Sequence, residues 1–140
     1  MDIWYYPGDY LPVLTTNIGW TQVATAVNIN LPIGASTTNP LYSAKIPITP
    51  VVIPAGATYG FYVGGNSTVS YSTATAGSIA GITACGSNNL LTITTGHGGN
   101  FPSPVNNPRD PLIKIHYGAG ASWFDLGTGQ NIGSGDSLYV

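Results

Sequence analysis

Charge is what this chain has least of. Of 140 residues, three are Lys or Arg and five are Asp, and Glu does not occur. That is 6% charged, where an ordinary soluble domain has about 25%. Nucleic-acid binding draws on Lys and Arg that neutralise phosphates, and Lys45, Arg109 and Lys114 are too few to support it. Cysteine is nearly absent too. Cys85 stands alone, so no disulfide can close within the chain. A lone cysteine reads as a small buried apolar side chain, with a cross-link to another chain as the alternative. No apolar run approaches the ~18 residues of a membrane-crossing helix. No basic segment followed by an apolar one opens the sequence, so no signal peptide is expected.

What is present points to β structure. Gly (19) and Pro (11) are abundant, Thr, Ser and Asn supply most of the polarity, and 43% apolar content with nine Tyr and three Trp argues against disorder. The length suits one domain. Alternation and turn residues set out short strands. Ile3–Tyr6 stops at Pro7-Gly8-Asp9, and Trp20–Ile29 closes before Leu31-Pro32-Ile33-Gly34. Tyr42–Ile48 alternates, with Tyr42, Ala44, Ile46 and Ile48 on one side; Pro47 and Pro50 put its end at an edge or bend. After the Pro54-Ala55-Gly56 turn come Tyr59–Val63 and Thr68–Ser72. The stretch 72–87 reads as a loop with a short strand at Ile79–Ile82. Leu90–Thr95 is a strand, 96–111 a long loop with four prolines, and Leu112–Tyr117 a strand with Lys114 and His116 on one face. A Gly-rich tail, 118–140, ends in a strand-forming Ser137–Val140. The expectation is an all-β fold, a single β-sandwich or jelly-roll-like domain of eight or nine mostly antiparallel strands, with 1–117 as its body.

Residues 53–63, IPAGATYGFYV, resemble a strand-turn-strand of a β-sandwich accessory module found in large secreted bacterial surface proteins. IWYYPGDY (3–10), IGWTQVAT (18–25), NLLTITTG (89–96) and PRDPLIKIHY (108–117) follow the remainder of that pattern, so the resemblance spans about 1–117. It implies a non-catalytic accessory domain that is extracellular or at the cell surface, and it brings no catalytic residues. The chain departs from the pattern in having Leu112 where the module favours Gly. It also opens directly on a strand that the module reaches only after one or two earlier ones. Trp123-Phe124-Asp125-Leu126 in the tail resembles that missing beginning. The tail could therefore complete an exposed sheet edge, in the same chain or in a neighbouring copy. With only two Lys to guard its edges and a net charge of −2 to resist association, a homo-oligomer or polymer is expected. Its interface is assigned to Ile3, Trp4, Tyr5, Tyr6, Trp123, Phe124, Leu138, Tyr139 and Val140.

Side-chain chemistry offers less. Hydrolysis by paired carboxylates or a zinc site would have to be built from five Asp, two His and one Cys, and no Gly-x-Ser-x-Gly elbow is present. No enzyme activity, metal or cofactor is expected. His97, inside Gly96-His97-Gly98-Gly99, reads as a solvent-exposed loop residue, and His116 as a surface or interface residue. Asp125–Asp136 spans twelve residues, but Gly occupies most inner ligand positions of a calcium loop. Trp4 and Tyr6 share a strand face opposite Tyr5. They pack as core aromatics or, with Trp123, offer a platform for stacking polysaccharide rings. Asn66-Ser67-Thr68 is a glycosylation triplet at a turn.

Overall fold

The computed structural model describes residues 1–25, 27–29, 41–64, 71–118 and, as backbone, 137–139. The alternating opening segment forms β1, Asp2–Tyr6. A 3-10 turn at Leu11–Val13 follows, started by Asp9, whose carboxylate accepts the Leu11 N–H at 3.0 Å. Next come β2 (Thr21–Ala24) and β3 (Gly60–Gly64). β1 lies between them, antiparallel to both, with Trp4 opposite Gln22 and Tyr62. The β1–β2 pairing continues past the strand ends, where Met1 and Val27 exchange N–H···O bonds of 2.8 and 3.1 Å.

β4 (Tyr71–Thr73), β7 (Gly96–Gly98) and β8 (Asn106–Pro111) make a second three-stranded sheet with β8 in the middle. β5 (Ala84–Ser87) and β6 (Thr92–Thr94) form a hairpin. The side-chain carboxamide oxygen of Asn88 closes its turn by accepting the N–H groups of Leu90 and Leu91 at 2.9 Å. β9 (Lys114–His116) pairs antiparallel with β10 (Ser137–Tyr139). Among the described residues the regular structure is all β and antiparallel, apart from the 3-10 turn.

Three sequence expectations are corrected. Tyr42–Ile48 forms no strand. Pro47 and Pro50 remove ladder donors, and just past the segment the Thr49 N–H donates to the Val23 carbonyl of β2 at 3.3 Å. Ile79–Ile82 is a turn, in which the Ile79 carbonyl accepts the N–H groups of Ile82 and Thr83, and the strand of that stretch is β5. The supposed loop 96–111 holds both β7 and β8. Pro108 survives in a central strand because the β7–β8 ladder steps from Gly96↔Arg109 to Gly98↔Asn106. This irregularity falls where the proline nitrogen has no proton to give.

Apolar burial is slight. Among the described residues Ile3 and Ala74 are the buried hydrophobic side chains, each 7% exposed, and Thr95 is the one fully buried side chain. The Thr95 hydroxyl donates to the Ile79 carbonyl at 2.9 Å.

Candidate functional site

Strand alternation sends Trp4 and Tyr6 to one face of β1 and Ile3 and Tyr5 to the other. On the first face, Phe101, from the loop after β7, gathers the rings. Its centroid lies 5.3 Å from Trp4, 4.7 Å from Tyr62 and 5.4 Å from Trp20, edge-on to the last. Tyr6 in turn meets Trp20 at 5.7 Å. All of these side chains are half-buried. Trp4 and Tyr6 thus spend their ring faces on neighbours within the chain, and the Trp20 indole N–H is buried with no hydrogen-bond partner.

The second face is more open. Tyr5 sits opposite Phe61 in register, their centroids 6.3 Å apart, and Tyr5 runs nearly parallel to Tyr59, at 6.0 Å and 5°. Phe61 is 43% exposed. β1 is the middle strand here, so Ile3, Trp4 and Tyr5 have partners on both sides, and Tyr6 has one on β3. Among the described residues the outer edges of both β2 and β3 lack a partner strand, and that of β2 receives the Thr49 N–H at the Val23 carbonyl. β3 lies in a long uncharged stretch, since no Asp, Glu, Lys or Arg occurs between Lys45 and Arg109. Among the described residues, the exposed large apolar side chains other than Ile18 and Leu41 fall within it, Val52, Phe61, Ile82 and Val105 among them.

Polar side chains come together at three places. Tyr10 and His97, far apart in sequence, meet through a 2.9 Å hydrogen bond between the phenol hydroxyl and Nδ1, and their rings pack edge-on at 5.8 Å. His97 is therefore a half-buried strand residue and not an exposed loop residue. Burial lowers its pKa. Burial, aided by the Asp9 charge, pushes the Tyr10 phenol up to about 12. Secondly, Cys85 is half-buried, short of the full burial expected, and its thiol donates to the Ile93 carbonyl. Burial and then Asp110 push that thiol up to about 11. Asp110 joins Cys85, Thr75, Ser78 and Thr83 around a shallow cleft, and one of its carboxylate oxygens is buried without a hydrogen bond. Thirdly, exposed His116 has its pKa lowered by desolvation and by the charges of Lys45 and Lys114. Among the described residues no three His, Cys, Asp or Glu side chains stand close enough to hold a metal ion.

The tail is only partly described. Leu138 and Tyr139 lie on β10, opposite Ile115 and Lys114. Trp123, Phe124 and Val140 lie outside the described residues, as do Asn66 and the Asp125–Asp136 segment. Sequence reasoning did not find Phe101, Tyr10 or Phe61. Phe101 follows Gly98-Gly99-Asn100 and precedes a proline, where no periodicity marks a core position. Phe61 could have been found from the alternation of its own strand. Comparison with known proteins returns no matching family model, curated protein or solved structure. No helix among the described residues is long and apolar enough to cross a membrane.

Proposed function

We propose that this chain is a non-catalytic, β-sandwich-like structural module, acting outside the cell or at its surface. It assembles with copies of itself through sheet edges into a filament or surface layer. One observation carries the reading: among the described residues most exposed large apolar side chains fall in an uncharged stretch, and one of them, Phe61, stands on the edge strand β3. An unguarded edge is a template for a further strand, and a surface with so little charge does little to resist association. The tail supports it as well. β10 completes a sheet with β9 inside one chain, and the same pairing made by a neighbouring copy would be a strand exchange. The resemblance of 53–63 to a secreted surface module agrees with the location.

Negative-stain electron microscopy with light scattering tests the reading. The expected result is filaments or sheets from the intact protein, and dispersed folded protein both from a chain lacking 122–140 and from Phe61→Lys. Uniform monomers of the intact chain overturn the assembly, and polymers that survive the deletion overturn the tail's part in it.

A second reading, a polysaccharide-binding module, is favoured by the exposed ring of Phe61 beside Tyr5 and Tyr59, rather than by Trp4 and Tyr6, which pack on Phe101 and Trp20. It expects Tyr59→Ala to lose retention on polysaccharide gels while the protein stays monomeric.

A further inference from the structure

The shallow cleft beside β5 has a volume of about 470 Å³, within the roughly 300–1,000 Å³ of small-ligand sites. Thr75 and Ser78, from the turn after β4, stand with Thr83, Cys85 and Thr95 in its wall, and Asp110 is the single charged side chain of the lining. Asp110 comes from β8, the middle strand of its sheet, where it lies opposite Ser72. Strand alternation separates it from Arg109, which donates to the Pro108 carbonyl and stands 5.7 Å from the Tyr71 ring centroid. One Asp110 carboxylate oxygen is buried without a hydrogen bond. The polar groups around it are turned to other partners. The Cys85 thiol donates to the Ile93 carbonyl, and the Thr95 hydroxyl to the Ile79 carbonyl. The Thr83 hydroxyl oxygen accepts the Ile79 N–H at 2.8 Å.

We propose that this cleft binds a primary ammonium group, held by the Asp110 carboxylate with the hydroxyl oxygens of Thr75 and Ser78 at the mouth. A carboxylate oxygen withheld from water costs free energy until a donor reaches it. A cationic donor compensates it most fully, because it brings a charge-assisted hydrogen bond and the opposite charge together. An ammonium carries three N–H donors and no acceptor, which suits a wall offering one carboxylate and hydroxyl oxygens. A neutral alcohol would supply a donor and leave the charge uncompensated. Calcium fits less well, since it takes about six to eight oxygens, commonly from several carboxylates, and the lining has one. Binding here does not require assembly of the chain. The two lysines act on His116, so a free amine is the expected source of the ammonium.

Isothermal titration calorimetry of the full chain with n-butylammonium chloride, against n-butanol as its uncharged counterpart, tests the site. Saturable millimolar binding is expected for the ammonium and none for the alcohol. Asp110→Asn is expected to weaken binding about tenfold or more, the usual worth of a hydrogen bond to a charged group. Asp9→Asn, which changes an exposed carboxylate outside the cleft, is expected to bind as the wild type does. Should Asp110→Asn fail to fold, Ala76→Trp takes its place. Ala76 is an exposed part of the lining, and an indole there is expected to obstruct binding while leaving the carboxylate intact. Equal binding of the alcohol, or undiminished binding in Asp110→Asn or Ala76→Trp, overturns the proposal. So does the lack of any saturable heat, which would mean that water alone satisfies the buried oxygen. Light scattering separates the sources of the ammonium. Particle size unchanged by butylammonium assigns it to a free amine, and dispersal assigns it to a lysine of a neighbouring copy.

Discussion

Phe101 is the residue on which the opening sheet depends. Three rings from three segments close on it, and these contacts combine area burial with favourable offset and edge-on geometry. A fully buried Phe→Ala change costs roughly 3–5 kcal/mol. Phe101 is half-buried, so Phe101→Ala is expected to cost about 2–3 kcal/mol, a melting midpoint lower by roughly 4–12 °C. Calorimetry at neutral pH checks this, and a loss within error would mean that the rings hold one another without it. The indole of Trp20 makes a contrasting case. Its N–H is buried without a partner, a state that costs free energy rather than contributing it. Trp20→Phe is accordingly expected to unfold at a urea concentration much closer to wild type than Trp20→Ala. Residue-level legibility in the sequence was uneven. The placing of Trp4 and Tyr6 on one face followed from β1 alternation. The ring that covers them comes from a Gly- and Pro-rich segment, where local pattern carries no information about long-range contact.

The strands were legible where alternation met clear turn chemistry. β1, β3, β6 and β9 fall within the expected stretches or a residue beyond them, because each is bounded by Gly, Pro or Asn. Tyr42–Ile48 shows the opposite case, in which alternation without backbone donors makes no ladder. β8 was hidden because its prolines read as loop, although the irregular pairing with β7 absorbs the missing proton. β5 was hidden because Ala84-Cys85-Gly86-Ser87 carries no β-branched or aromatic side chain. The candidate site fared similarly, since Tyr10 and His97 meet only through the packing of elements distant in sequence. Gly60 shows how closely the elements fit. A methyl group there would press on the Tyr10 Cβ, an atom next to the backbone that cannot swing aside. Gly60→Ala is expected to cost roughly 1–3 kcal/mol, the usual range for overpacking, measured as a lower urea midpoint.

Across the whole molecule, polar but uncharged Thr, Ser and Asn take the place that charge holds in most soluble proteins. Association through an apolar, uncharged face gains little from Coulomb attraction and loses little to screening. Sulfate, which is excluded from protein surface, strengthens burial. Light scattering is therefore expected to show larger particles as ammonium sulfate rises, and no dissociation as sodium chloride rises to about 1 M, where the screening length is only ~3 Å. Dissociation by sodium chloride would point instead to the Lys45, Lys114 and His116 group as the adhesive surface.

The uncharged stretch between Lys45 and Arg109 holds a single side chain that ionises near neutrality, His97. Mild acid therefore brings a cation to a segment that otherwise has none. In colloidal terms, that proton moves the net charge from −2 toward zero, so mild acid weakens the little repulsion that keeps copies apart.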